Sequence, residues 1–162
     1  MRAKGEPDAR VLPDVARATF IAVGLFPWIL PLLRAWLPLG AVGAGLDTAF
    51  VTMCHRLPER TLTLAGVPMP LCSRCAGIFA GVALGALTVW PQLSARSWRR
   101  VITATVGAMV VDVATQDLGF HPVWHATRLA SGFAFGYALA AACVIALRRE
   151  ALGAPATPKA SG

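Results

Sequence analysis

Long apolar runs dominate this chain, and short polar segments separate them. The runs cover about residues 18–39, 75–90, 101–118 and 124–147. A helix needs roughly 20 apolar residues to cross the hydrocarbon core of a bilayer, and these runs lie near that length. The pattern therefore predicts an all-α fold, an integral membrane four-helix bundle with one span in each run.

The segments outside these runs complete the predicted domain organisation. Residues 40–53 are apolar but too short to span a bilayer, so we expect a short interfacial helix between the first and second spans. Residues 1–17 are polar and are predicted to be a cytoplasmic tail. The four-span domain then covers residues 18–149. The Ala-, Pro- and Gly-rich residues 150–162 are predicted to be a disordered C-terminal tail.

The composition supports a membrane protein. Hydrophobic residues make up 56% of the chain and charged residues 14%, against about 25% charged in soluble domains. The net charge of +7 does not indicate nucleic-acid binding, because the arginines flank apolar runs instead of lining one solvated face. We therefore expect the lipid bilayer as the partner and no nucleic acid.

The distribution of basic residues predicts the orientation in the membrane. The N-terminal tail holds four Lys and Arg residues, the 92–100 linker three and the C-terminal end three. Basic residues mark cytoplasmic segments. Both termini and this linker are therefore predicted to be cytoplasmic, in the inner (cytoplasmic) membrane. The connectors 54–75 and 117–128 then lie together on the outer face.

The first of these connectors, residues 54–75, concentrates the reactive side chains. It holds Cys54, Cys72 and Cys75, three of the four cysteines. The Cys72–Cys75 pair stands where the second span begins. A helix N-terminus and nearby arginines lower thiol pKa values and favour the thiolate. Thiolates serve both metal ligation and disulfide exchange. The sequence therefore predicts reactive cysteines but leaves open which of the two reactions they take part in.

The first interpretation of this connector is a metal site. Three cysteines and one histidine form a common tetrahedral zinc set, and soft thiolates also admit other transition metals. Asp112 or Glu59 can orient a ligating imidazole. The candidate metal ligands are Cys54, His55, Cys72, Cys75, His121 and His125.

The second interpretation is thiol–disulfide chemistry with a quinone as the electron acceptor. Cys72 or Cys75 would attack a disulfide and Cys54 would resolve it. Cys143 lies deep in the fourth span and fits a packed position better than a reactive one. The sequence does not decide whether the protein is an enzyme.

A third interpretation is a non-enzymatic membrane factor that binds an anionic headgroup or a protein partner, with a homo-oligomer also open. Arginine side chains bind such anions well, and an aspartate inside a span marks a functional position. The candidate ligand-binding residues are Arg56, Arg60, Arg74, Asp112, Gln116 and Arg128.

Small residues recur every fourth position in two of the spans. Gly77, Gly81 and Gly85 form one such stripe, and Gly132 and Gly136 form another. Stripes of this kind let two helices approach closely, so we predict that the second and fourth spans pack against each other.

The motifs in this chain resemble those of a known family. They are Cys54-His55, Pro58-Glu59-Arg60, Cys72-Ser-Arg74-Cys75-Ala-Gly77, Asp112 with Gln116, and the Arg128–Gly136 segment. Together they resemble bacterial membrane proteins of the domain-of-unknown-function 2085 family. The resemblance covers most of the chain. It implies a small multi-pass membrane protein and gives no activity.

Overall fold

A computed structural model of the chain describes residues 11–55 and 57–153, and within them it forms five α-helices and one β-hairpin. The elements in chain order are α1 (Val11–Trp36), α2 (Gly40–Val51), β1 (Thr61–Leu64), β2 (Val67–Cys72), α3 (Ser73–Thr88), α4 (Ala95–Asp117) and α5 (His125–Ala151). Arg56 and most residues of the two predicted tails lie outside the described residues.

The helices match the predicted apolar runs, but their boundaries differ. α1 begins at Val11 instead of near residue 18. Leu12 and Val15 extend the apolar side of the helix into a segment that also contains charged residues. α4 begins at Ala95, inside the predicted 92–100 linker. The side chain of Ser94 accepts a hydrogen bond from the Ser97 amide at 3.2 Å and so caps this helix. α2 supplies the short helix expected over residues 40–53.

Two helices of the described chain, α1 and α5, are long and apolar enough to cross a membrane. α3 has 16 residues and is about 24 Å long, shorter than the hydrocarbon core. α4 has 23 residues but begins with three arginines. α1 exposes large apolar side chains, with Phe26 at 39% and Ile29 at 44%, a surface suited to lipid contact. Four membrane spans remain a prediction.

The connector before α3 corrects the all-α prediction, because it folds as an antiparallel β-hairpin. The alternating sequence Thr-Leu-Thr-Leu forms β1, and Ala65 and Gly66 form the turn with φ of 52° and 76°. Two positive φ values in a two-residue loop match the twist of the flanking strands. Met69 and Leu71 of β2 are buried. The sheet therefore anchors the connector to the helices.

The close pair predicted from the glycine stripes is present between α3 and α5, which run parallel. A Cβ added at Gly77 would overlap the carbonyl of Leu129, and one at Gly85 would overlap that of Tyr137. Gly132 in turn faces the Arg74 carbonyl. Backbone lies directly on backbone along this interface, so the register of the two helices is fixed along its length.

The remaining contacts define two ends of the bundle. The indole of Trp28 donates to the Ala76 carbonyl at 3.1 Å, whereas Arg17 donates to the Leu87 carbonyl at 2.7 Å, so α1 runs antiparallel to α3. Arg148 lies 3.9 Å from Asp14, which joins the end of α5 to the start of α1. α2 and the hairpin lie at the opposite end, which we call the cysteine end.

Candidate metal centre

Three cysteine side chains meet at the cysteine end. The sulfur atoms of Cys54, Cys72 and Cys75 all lie within 4.8 Å of one another. Cys54 follows α2, Cys72 ends β2, and Cys75 lies in the first turn of α3. All three are free thiols. We call these residues the cysteine triad.

Local backbone structure positions the first two of these sulfurs. The amide of Cys54 donates to the Phe50 carbonyl at 3.0 Å, which continues the last turn of α2. Its side chain is buried against Leu30 and Leu71. The amide of Cys72 donates to the Cys54 sulfur at 3.3 Å. The hairpin therefore brings together two cysteines that are 18 residues apart in the chain.

The surroundings of Cys72 favour its thiolate form. Hydrogen bonding from the Cys75 thiol lowers the pKa of Cys72, and contacts with Cys54 and Arg128 act in the same direction, while burial opposes them. The same contact, together with burial, raises the pKa of Cys75, so Cys72 is the thiolate of this pair and Cys75 keeps its proton until a metal displaces it. The Nη2 atom of Arg128 lies 4.0 Å from the Cys72 sulfur. A thiolate is the ligand form that metals require.

Three arginines next to the triad are each tied to the last turns of α4. Arg74 forms an ion pair with Asp112. Arg128 donates to Gln116 at 2.6 Å, and Arg60 lies 3.7 Å from Asp117. These contacts link α3, α5 and the connector to one helix. Asp112, Gln116 and Arg128 thus lie beside the cysteines, and their predicted role in ligand binding remains a prediction.

The three histidines lie around the triad and not within it. Nε2 of His121 is 2.9 Å from Thr115 Oγ1, and its ring stacks on Trp124 with centroids 4.8 Å apart. His125 is half-buried, and its Nδ1 has no hydrogen-bond partner among the described residues. His55 is exposed directly after Cys54. Within the described chain no imidazole nitrogen joins the clustered sulfurs, and a histidine ligand remains a prediction.

Two other positions named from the sequence lie apart from the triad. Glu59 is exposed in a short 3-10 helix before β1. Cys143 lies in the half of α5 that leads to the opposite end, and it is half-buried. The hydrogen bond from Trp28 to Ala76, which holds α1 beside the first turns of α3, had no signal in the sequence.

The sequence profile described as "Predicted membrane protein (DUF2085)" matches residues 54–142. The chain belongs to the DUF2085 family. The matched range begins at Cys54 and contains the whole triad together with Arg60, Arg74 and Arg128. The site and the family region therefore coincide.

Two archaeal proteins are similar to this member of the DUF2085 family. An uncharacterized protein of Methanocaldococcus jannaschii is 28% identical over 99 residues, which cover 57% of this chain and 62% of that protein. An uncharacterized protein of Methanothermobacter thermautotrophicus is 31% identical over 94 residues, 56% of this chain and 84% of that protein. The resemblance is thus not confined to bacterial proteins. No solved structure matches the chain.

The triad fits a tetrahedral thiophilic ion. Zinc–sulfur bonds of about 2.3 Å place the sulfurs of one tetrahedron roughly 3.8 Å apart. The three sulfurs here lie within 4.8 Å, so small side-chain rotations can bring them to that spacing. Three thiolates leave a fourth position, which structural zinc sites fill with a protein ligand and catalytic sites leave to water or substrate.

Proposed function

We propose that this DUF2085 member is a multi-pass membrane protein that binds one thiophilic transition-metal ion, with zinc as the expected ion, through Cys54, Cys72 and Cys75. The observation that carries the proposal is the convergence of three free sulfurs from two separate segments within 4.8 Å. Cys72 and Cys75 are close in space simply because they are three residues apart in the chain. Cys54 is 18 residues from Cys72, so the fold itself must bring it to the other two sulfurs.

The fourth ligand is proposed to come from the accessible side of the site. His55 is adjacent in sequence and exposed, so it can approach after a change in the loop. Water or an external anion is the alternative at this position. Metal analysis with His55→Ala separates the two, because a histidine ligand predicts weaker binding and an external ligand predicts unchanged binding.

The proposed topology places four spans in the inner membrane, with both termini in the cytoplasm. The contacts that support it are those of the arginines. At the opposite end Arg96, Arg99 and Arg100 are exposed, whereas Arg60, Arg74 and Arg128 at the cysteine end are engaged with other side chains of the protein. An excess of basic residues next to the ends of the spans, here solvent-exposed in the 92–100 segment, marks the cytoplasmic side.

Labelling with a membrane-impermeant maleimide tests this topology in intact cells. We expect a cysteine introduced by Thr63→Cys in the hairpin to react, and one introduced by Leu152→Cys at the opposite end to react only after permeabilisation. Both positions are exposed, and the unmodified chain provides the background. Equal labelling of both positions in intact cells would contradict the proposal.

Elemental analysis of the detergent-purified protein, in the presence of reductant, tests the metal site. We expect about one ion per chain in the wild type, and none in Cys54→Ser, Cys72→Ser or Cys75→Ser, since each removes one of three ligands. Cys143→Ser is the matched control and should keep the ion. A wild type without metal, with two thiols missing from a denaturing thiol count, would overturn the proposal.

Membrane thiol–disulfide chemistry is the second candidate, and the low pKa of Cys72 next to Cys54 favours it. Two thiols would give two electrons and two protons to a quinone, which yields one disulfide and one quinol. This candidate predicts a mixed disulfide with a protein partner trapped in Cys75→Ser, and no stoichiometric metal.

Binding of an anionic headgroup has weaker support than either candidate. Arg60, Arg74 and Arg128 each have a partner within the protein, so their charges or donors are already in use. Arg74→Gln would reduce binding to anionic vesicles only if this third function were correct.

A further inference from the structure

Arg128 differs from Arg60 and Arg74, the two other arginines that contact α4 at the cysteine end. It is buried, with 4% of its surface exposed. Arg60 and Arg74 each pair with an aspartate. In the described part of the chain no carboxylate pairs with Arg128, whose side-chain contacts are the neutral Gln116 and the sulfur of Cys72.

A buried guanidinium needs an anionic neighbour. Arginine stays protonated in proteins, so it cannot relieve its burial by losing a proton. An unpaired charge in a low-dielectric site is costly, and buried charges are accordingly paired. The amide of Gln116 accepts a hydrogen bond but carries no charge. Nε of Arg128 also has no hydrogen-bond partner in the part of the chain that the structure describes. Of the side chains that contact Arg128 in the described chain, the cysteine is therefore the one that can carry a negative charge.

We infer that Arg128 is the counter-charge of the loaded cysteine triad, and that the site is built for a divalent thiophilic ion held by three thiolates. This inference rests on the proposed metal-binding function. Ligation requires deprotonated cysteines, and three thiolates around a divalent ion carry one net negative charge. With histidine or water as the fourth ligand, one guanidinium cancels that charge, so the loaded site is neutral as a whole. Arg128 is thus a positioning residue that acts on the ion through Cys72.

Gln116→Glu gives the sharpest test because it leaves both Arg128 and the cysteines unchanged. The new carboxylate has nearly the same shape as the amide and sits 2.6 Å from the guanidinium in the present geometry. It would pair with Arg128 and leave the charge of the loaded triad uncompensated. We expect affinity for Zn²⁺, measured by competition with a chromophoric chelator, to fall about 10- to 100-fold, as when groups that contact the ligands of a metal ion are changed.

Gln92→Glu is the matched control. Gln92 is exposed in the loop that follows α3, at the opposite end of the bundle, and it donates a hydrogen bond to the Val89 carbonyl. The same chemical change there alters the net charge equally but is remote from the triad. Zn²⁺ affinity should equal that of the wild type.

Arg128→Gln and Arg128→Lys separate charge from shape. The first removes the charge and should weaken Zn²⁺ binding by a similar 10- to 100-fold. The second keeps it and should retain most of the affinity. If either variant fails to fold, the Gln116→Glu measurement still decides the question.

The outcomes distinguish this inference from the proposed function. Wild-type protein that takes up no Zn²⁺ overturns both. Wild-type protein that binds Zn²⁺, with unchanged affinity in Gln116→Glu or with equal losses in Arg128→Gln and Arg128→Lys, overturns the inference alone. Weaker binding in Gln116→Glu together with normal binding in Gln92→Glu supports it.

Discussion

The two ends of the bundle use arginine in different ways. At the cysteine end, Arg74 and Arg128 extend sideways between helices and meet Asp112, Gln116 and a sulfur. At the opposite end, Arg17 and Arg149 donate to backbone carbonyls, among them that of Leu87, and Arg148 meets an exposed aspartate. The residue type is the same, but burial differs.

This difference shows what each end is suited for. Arg17 donates to carbonyls at the C-terminus of α3 and so stabilises that terminus, whereas Arg149 donates to a carbonyl in the loop before α4. Both arginines are only half-buried, so their charge stays in contact with solvent or headgroups. Arginines buried between helices are fixed in place, and their charge acts on other groups of the protein. The opposite end is thus suited to a membrane surface, and the cysteine end to an internal site.

The largest expected effect comes from Asp112→Asn, which breaks the ion pair with Arg74. The two side chains are 16% and 12% exposed, so removal of one charge leaves the other largely buried and uncompensated. We expect a loss of about 3 kcal/mol in the free energy of unfolding, measured in detergent.

Asp14→Asn at the opposite end is the matched control for that variant. The Asp14 side chain is 70% exposed and lies 3.9 Å from Arg148. Exposed ion pairs contribute roughly 0.2–1 kcal/mol. If Asp112→Asn and Asp14→Asn lowered the free energy of unfolding equally, the arginine contacts at the two ends would not differ in strength as we expect.

The next effect separates stability from metal binding. Gly77→Ala and Gly85→Ala should each cost roughly 1–3 kcal/mol, because a methyl group at either position overlaps backbone of α5. Gly77 lies one turn from Gly81 towards the triad, and Gly85 lies one turn away from it on the other side. We expect only Gly77→Ala to reduce Zn²⁺ uptake as well, measured by elemental analysis of the folded fraction.

Gly107→Ala is the control for both glycine variants. Apart from the backbone of its own helix, nothing in the described chain lies within 4 Å of the added methyl group, and alanine favours the helix interior. The free energy of unfolding should rise by about 0.5–1 kcal/mol. A loss similar to that of Gly77→Ala would argue against close packing of α3 on α5.

A smaller effect is expected for Trp28→Phe. The substitution keeps an aromatic ring and removes the 3.1 Å hydrogen bond to the Ala76 carbonyl. The expected cost is about 1 kcal/mol in the thermal unfolding experiment. A loss several times larger would show that packing of the indole ring matters more than its hydrogen bond.

The smallest effect is expected for Arg60→Gln. Arg60 and Asp117 are 34% and 58% exposed in their side chains and lie 3.7 Å apart. Such a pair contributes below about 1 kcal/mol. Unfolding should barely change, and Zn²⁺ uptake should equal that of the wild type. A strong loss of metal would mean that an exposed ion pair also affects the metal site, as the buried arginines are expected to do.

Hydropathy and short motifs predicted the helices, the glycine contact and the cysteine grouping. They succeeded because helix length, small-residue spacing and the Cys72–Cys75 motif are local properties of the sequence. The membrane family is confirmed by the profile match. The hairpin was missed although Thr61–Leu64 alternates and Ala65-Gly66 can form a turn, because a helical scaffold was expected on both sides.

The side-chain partners were beyond the reach of the sequence. Arg74 and Asp112 are 38 residues apart, and Arg128 and Gln116 are 12 apart. The partner of each arginine depends on the rotation and register of neighbouring helices. A shift of α4 by one helical turn relative to α3 and α5 would give the arginines different partners. The predicted topology placed the 117–128 connector, which ends at Arg128, on the same face as the cysteines, but it did not predict the neutral partner of Arg128.

The spacing of Cys54 and Cys72 has a consequence for local unfolding. The hairpin lies in the 18-residue segment between these two sulfurs. An ion bound to both sulfurs would close that segment into a ring. When the hairpin unfolds locally, the closed segment gains less conformational entropy than an open one, so the bound ion stabilises the hairpin. Treatment with a chelator should therefore open the hairpin before any helix, and limited proteolysis would then cut first between residues 55 and 71.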